Sequence, residues 1–460
     1  MKDKRTIQGQ WLIFGDDQPP AFGVLKHDPE TGVTLDVQCH RAPNWGQAFG
    51  GAGYQCPAVV RGRDSHGNAV TVFGCFVTQS SSTAALDEYK ISATCATLGA
   101  HYNQFNDATF NQIRGSYSIL DEWLTRPSIT MLPQNAGMPA YQQHHPEDVS
   151  ATLTDGTSVV LTMSLHSRTS PSSLTLSQSQ YVHFITPNAA PLRTLSDNYV
   201  FKFGKLLSFL SRIDVAVDQI VFPQQGAMRN EVEFLCVMPA STKVKRTLTN
   251  PAGLVPYQEI AAHLPALIVR WFDYYEDMEA ILNLYFTAVA QSDIPVNTRF
   301  LLLAQALEAY HSRSGRFVAE IQPKADFKAR LKAILDLVAN AGENDWLKEN
   351  LDFANQKKLA TRLNELIADQ QANVAQFIND PVRFSNVIRW TRNYYTHYGA
   401  EEEDKIDRGV GRIAQGTEII TFYFQMRALL ELLFISDLQL PASATNRVIQ
   451  WVNQVQIITA

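Results

Sequence analysis

Cysteine is scarce and its spacing uninformative: Cys39, Cys56, Cys75, Cys95 and Cys236 are the only five, an odd number with no C-x-x-C pair. That argues against a disulfide framework and predicts reduced thiols in strands and cores. A zinc site built on Cys39, His40 and Cys56 matches no standard ligand spacing. Long apolar runs are also lacking. The most apolar stretch, 264–272, is short and carries Arg270. A membrane-spanning helix needs about 20 apolar residues, so none is expected. The N-terminus, Met1-Lys2-Asp3-Lys4-Arg5, leads into a polar stretch without the apolar core of a leader peptide, which predicts an intracellular, cytoplasmic chain. Strong net charge is missing too, at −6 over 460 residues, so any nucleic-acid site has to come from a local cluster. Gly50-Gly51-Ala52-Gly53 lacks the Lys-Ser/Thr that a phosphate-cradling loop requires and reads as a plain loop. His144-His145-Pro146-Glu147-Asp148 is a loop with no further metal ligands in sight. No cofactor and no metal are expected.

What is present is ordinary globular material, 45% hydrophobic and 18% charged. It is too much for one core, so two or three domains are expected. The chain changes character near residue 195. Before it, runs such as Trp11–Phe14, Gly32–Val37, Val70–Phe76, Tyr89–Thr97 and Ser158–Leu165 alternate with Gly, Pro, Asn and Asp turns and read as half-buried strands. The Ser/Thr-rich stretch 164–181, with Pro171, reads as a loop or irregular edge. A mixed part follows, helical over Leu195–Leu210 and strand-like at Val215–Phe222 and Glu231–Val237. From 257 the pattern is helical, with helices expected at 259–275, 276–291, 297–312, 324–340, 356–369, 382–398, 415–437 and 443–456. The fold class is thus α+β and multidomain: a β-rich domain over 1–245, including the mixed part 195–245, then an all-α bundle over 257–460.

The most informative segment is Arg383–Gly399. On a helix at about 100° per residue, Phe384, Val387, Ile388, Thr391, Tyr394, Tyr395 and Tyr398 form one apolar stripe. Arg389, Arg392, Asn393, Thr396 and His397 lie opposite, and Gly399 ends the helix. Arg392 and His397 are five residues apart, so they point roughly 140° away from each other. Two copies facing across a two-fold axis would interleave both pairs in one cleft, which predicts a homodimer.

The chemistry fits RNA cleavage. A histidine with a reference pKa of about 6.5 can take or give a proton near neutrality. An arginine stays charged and can grip two phosphate oxygens. Asn393 could orient the His397 ring or bond the phosphate, and Arg389 and Thr396 extend the polar face toward an RNA strand. Between Asp380 and Glu401 there are three arginines and no acidic residue. Against this stands the plain reading that polar residues opposite an apolar stripe form a solvated face, and that an R-x-x-x-x-H spacing alone arises by chance.

The run Arg392-Asn393-Tyr394-Tyr395-Thr396-His397 resembles the R-N-x-x-x-H signature of the HEPN superfamily. The upstream helix from Arg299 to His311 and the later one containing Met426–Leu433 resemble the HEPN domain of ApeA-type abortive-infection proteins, a resemblance covering residues 295–440. Gly9-x-Trp11 and Gly23-x-Leu25 resemble that family's other domain. The resemblance implies an all-α HEPN-like bundle and a metal-independent endoribonuclease in bacterial antiphage defence. It assigns Arg392, His397 and Asn393 to catalysis, implies an RNA substrate in which tRNA loops are a reasonable target, and leaves room for a phage-derived trigger at the N-terminal domain.

His311 and Glu308 are the nearest other polar groups. His311 reads as a structural histidine, and Glu308 either supports the site from its neighbouring helix or pairs with His311 or Ser312 along its own. Tyr394, Tyr395 and Tyr398 read as core before base-stacking groups. The competing function is a catalytically silent HEPN module that dimerises or binds nucleic acid, with a β-domain that binds a protein or carbohydrate.

Overall fold

The computed structural model describes residues 4–13, 19–40, 57–83, 86–131, 141–170, 172–223, 231–237, 253–290, 293–338, 341–351, 354–397 and 411–459. Phe14, the stretch 50–53, Cys56, Pro171, Tyr398 and Gly399 lie outside the described residues. The chain divides into two compact units, Met1–Phe272 and Asp273–Ala460.

The first unit is built on strands β1 (Arg5–Leu12), β2 (Ala21–Asp28), β3 (Gly32–His40), β4 (Val59–Asp64), β5 (Ala69–Phe73), β6 (Phe76–Ser82), β7 (Leu86–Ala93) and β8 (Cys95–Leu98). They are followed by β9 (Thr109–Tyr117), β10 (Ile129–Met131), β11 (Tyr141–Gln143), β12 (Val149–Thr152), β13 (Ser158–Ser170), β14 (Ser173–Pro191), β15 (Val217–Pro223) and β16 (Glu231–Cys236). Fourteen of them form one sheet in the order β12-β13-β14-β9-β15-β16-β8-β5-β4-β1-β2-β3-β7-β6, while β10 and β11 pair separately.

Two of the expected strands are each broken in two, at the same place. Gly74 adopts φ +64 between β5 and β6, and Thr94 separates β7 from β8, its N–H donating to the Phe73 carbonyl at 2.9 Å. A Cβ on Gly74 would collide with the Thr94 side chain. At this corner the β5–β6 and β7–β8 segments bend together. Since β7 continues into β8, and β8 pairs β5, the strands β5, β4, β1, β2, β3 and β7/β8 ring a common core. Trp11, Leu25, Leu35, Val60, Val72, Ile91 and Leu235 fill it. Each such large apolar side chain contributes about 1.5–3 kcal/mol by burial. The two signature glycines are explained by close backbone approach: a Cβ on Gly9 would strike the Arg63 carbonyl, and one on Gly23 the Asp36 carbonyl.

The 164–181 stretch is not a loop. It is the distal half of the β13–β14 hairpin, paired in register from Ser158↔Ile185 to Ser170↔Ser173. Its outer rungs are largely exposed, and the apolar alternation that identifies a strand is confined there to Leu174 and Leu176. The other half of the sheet packs on the helical segment 192–211, ending in α1 (Lys202–Ser211). Tyr117 donates to the Val200 carbonyl at 2.8 Å, and its ring lies 5.5 Å from Phe203.

Helix α2 (Leu264–Ala290) contains the division between the units. It replaces two expected helices, because Glu276 and Asp277 mark only a polar face and nothing there breaks the backbone. The second unit continues with α3 (Val296–Arg313), α4 (Lys324–Leu335), α5 (Ala341–Leu351), α6 (Leu359–Asp369), α7 (Pro381–His397), α8 (Thr417–Asp437) and α9 (Ala442–Thr459). The α+β expectation holds: a large antiparallel sheet precedes a helical bundle. Helix α5 was not expected, since only Leu347 and Leu351 mark an apolar face on it. The expectation that no segment is long and apolar enough to span a membrane needs correction, because α8 is. Helix α8 is mostly buried, 67% of its apolar window lying inside the structure. Its fully buried Glu431 accepts hydrogen bonds from Tyr285 at 2.8 Å and Arg427 at 2.7 Å.

Candidate active site

Helix α7 starts where local chemistry dictates. The Asp380 side chain accepts the backbone N–H of Arg383 at 2.9 Å, and Pro381 occupies the first turn, where its missing N–H costs nothing. Phe384, Val387, Ile388 and Thr391 are buried, which fixes the helix's rotation. Ser385 donates to Asn364 of α6 at 2.7 Å. Thr391 accepts the Ala414 N–H at 2.8 Å, tying in the chain that leads to α8. Nearby, Gly411 lies flat on Trp390, where a Cβ would come within 2.5 Å of the indole. The apolar stripe weakens after Thr391: Tyr394 and Tyr395 are only half-buried, their ring centroids 5.2 Å apart.

Arg392 and Asn393 are half-buried on the opposite face, and Thr396 is exposed. The Arg392 guanidinium donates to Asn393 Oδ1 at 3.2 Å and to Glu308 Oε2 of α3 at 3.4 Å. Thr396 donates back to the Arg392 carbonyl at 2.7 Å. Arg389 lies 5.0 Å from the Trp390 ring centroid. The backbone of His397 closes α7, and its side chain lies outside the described residues.

The basic patch expected from the linear sequence is partly neutralised in space. Glu308 reaches Arg392, and Glu418 reaches Arg383 at 3.3 Å. Of the two placements open for Glu308, the structure has its carboxylate on Arg392, while Ser312 bonds only its main-chain carbonyl at 3.2 Å.

Behind Arg392 lies a polar network that the sequence did not signal. Buried His311 bonds Glu365 of α6 at 2.7 Å and stacks on Phe317 at 4.9 Å. Glu365 also receives Lys357 at 2.6 Å. Arg362 reaches back to α3, donating to the Glu308 carbonyl at 3.3 Å and to the Ser312 hydroxyl. Burial holds the His311 imidazole below its ordinary pKa despite the Glu365 contact. Burial would raise Glu365, but hydrogen bonds from Lys357 and His311 outweigh it and hold the carboxyl below its usual value. The network braces α3 against α6 and keeps Glu308 facing α7. Only its long-range pairing reveals it: Arg362 and Glu365 look like any charged residues on an amphipathic helix.

Among the described residues no group of three or more His, Cys, Asp and Glu side chains is placed to hold a metal. Cys39 is buried and donates to the Asp87 carbonyl at 3.5 Å, its thiol pushed up to about 11 by burial and then by Asp87.

Comparison with known proteins gives two matches. A family model described as ApeA N-terminal domain 1 matches residues 6–271, and one described as Apea-like HEPN matches residues 301–444. No curated protein and no solved structure matches the chain.

Proposed function

Since the chain belongs to the ApeA-type HEPN proteins, an antiphage-defence family with a nuclease-type domain, we propose that it is a metal-independent endoribonuclease acting through Arg392, Asn393 and His397. One observation carries the reading: Arg392 and Asn393 meet on the polar face of the helix that ends at His397, with Arg392 held by a carboxylate from a neighbouring helix. His397 removes the proton of an RNA 2′-hydroxyl or delivers one to the departing 5′-oxygen. The 2′-oxygen forms its bond to phosphorus as the bond to the 5′-oxygen breaks, leaving a 2′,3′-cyclic phosphate. Arg392 carries the positive charge that stabilises the phosphorane. Asn393 fixes the guanidinium it touches, and Arg389 and Thr396 flank the strand. The guanidinium exchanges Glu308 for phosphate when RNA arrives, so the resting ion pair keeps the arginine extended without burying its charge. Unstacked loops, tRNA loops among them, are the accessible substrates. The expected setting is the cytoplasm of an infected cell, with a homodimer as the working form.

The test is to incubate the full chain with total RNA in EDTA beside a His397→Ala variant. Fragments ending in 2′,3′-cyclic or 3′-phosphate are expected from the unaltered chain alone. Activity that EDTA abolishes and magnesium restores overturns the mechanism. Dimerisation and RNA binding without cleavage would instead identify a silent module.

A further inference from the structure

The outer surface of the barrel carries a hollow, remote in sequence from the nuclease motif. Cross-strand register lays two rungs of side chains over β4, β1, β2, β3, β7 and β6. One runs Arg63, Gln10, Phe22, Gln38, Glu88, Ser81. The other runs Gln8, Val24, Asp36, Lys90, Gln79. A hollow of about 890 Å³ lies on them, with the Asp64–Gly67 turn along its side. Six strands at about 4.8 Å span on the order of 24 Å, so the hollow suits an elongated ligand crossing the strands.

We propose that this hollow binds a neutral saccharide chain. Its balanced charges do not favour a polyanion. Asp36 is held by Lys26 at 2.6 Å, Glu88 by Gln38 at 2.8 Å and Ser81 at 3.3 Å, and Asp64 by the N–H groups of His66 at 2.9 Å and Asn68 at 2.8 Å. Three carboxylates against Arg63, Lys90 and the Lys26 that holds Asp36 leave the surface without net charge, whereas a nucleic-acid strand needs clustered unpaired cations. An amphipathic helix needs a wide apolar stripe, and here only Phe22 and Val24 interrupt the polar rungs.

What the hollow offers is amides and one bare ring. Gln8, Gln10 and Gln79 make no side-chain hydrogen bond to any described residue, so their heads are available. An amide donates and accepts at once, which matches a hydroxyl that does the same. Phe22 is 63% exposed at the centre of its rung and presents a flat apolar surface for the C–H face of a sugar ring. The amides on either side fall where ring hydroxyls project. A mostly polar hollow with one apolar platform binds by orienting hydroxyls and excluding water from the ring face.

The experiment is calorimetric titration of the full chain with cellotetraose, maltotetraose and chitotetraose, beside Phe22→Ala and Gln10→Ala variants. At least one saccharide should bind, and each substitution should weaken it by roughly tenfold. Both side chains are surface groups, so circular dichroism and melting should match the unaltered chain and exclude misfolding. Binding by none of the three, or binding that Phe22→Ala leaves intact, overturns the assignment. So does a single-stranded oligoribonucleotide or an extended peptide that binds with Phe22-dependent affinity in place of the saccharides.

Discussion

Arg392 shares its charge with Glu308 across a gap of 3.4 Å, with the two side chains 38% and 30% exposed. A pair that open contributes at most about 1 kcal/mol to stability, which separates folding from chemistry in any test of the site. Arg392→Ala and His397→Ala should each lower RNA cleavage by at least about 10²-fold, the scale of a lost charge stabiliser or acid–base group. Neither should move the urea midpoint appreciably. Cleavage at the unaltered rate by either variant would reassign the site. A second residue predicts acid sensitivity of the sheet unit. Burial, aided by its cross-strand neighbour Arg114, holds the His183 imidazole down at about 4, with Asp148 and Glu231 opposing from nearby. The unfolded chain protonates at about 6.5. Folded His183 resists the proton, so its contribution is complete above about 6.5 and shrinks as the pH falls toward 4. Urea titrations at pH 7 and pH 4.5 should therefore show a loss of stability that His183→Gln reduces. An equal loss in the variant would remove His183 as the cause.

At the scale of elements, the corner at Gly74 and Thr94 decides whether the strands close into a ring. Gly74→Ala puts a Cβ at φ +64 and into the Thr94 side chain. The left-handed backbone alone costs about 1–2 kcal/mol, and the collision adds to it. Urea denaturation should show at least that loss, with partial recovery when Thr94→Gly is added. A neutral Gly74→Ala would mean that the corner carries no strain. The same corner marks a limit on what the sequence discloses. Alternation in Val70–Phe76 and Tyr89–Thr97 identified strands, but a bend set by contact between residues 74 and 94 has no local signature. The 164–181 hairpin was hidden because its outer rungs, Leu174 and Leu176 aside, are polar and largely exposed, and α5 because only Leu347 and Leu351 mark an apolar face. Helix α7 was legible through Thr391, since burial of Phe384, Val387 and Ile388 fixes which face carries Arg392. The partners of that face were not: Glu308 lies 84 residues away, and no count of neighbouring charges could find it.

At the scale of the whole molecule, the separation of Arg392 and His397 by roughly 140° around one helix is the quantity that matters. A single phosphate reached by both from one α7 would need the arginine to wrap around the helix, yet its guanidinium is directed toward α3 and Glu308. Two α7 helices related by a two-fold axis remove the difficulty, because one copy's arginine can face the other copy's histidine. The expected working form is therefore a homodimer with the motif helices near the axis. Sedimentation should give a dimer at micromolar concentration. The sharper test mixes inactive Arg392→Ala with inactive His397→Ala chains. A heterodimer's cleft holds one half-site with both substitutions and one with neither, if each half-site takes its arginine and histidine from different copies. Partial return of cleavage on mixing is then expected, at up to about half the activity per dimer. If each half-site draws both groups from one chain, both half-sites of the heterodimer stay defective and mixing restores nothing. A chain that stays monomeric and cleaves at a rate per molecule independent of concentration excludes the shared cleft outright.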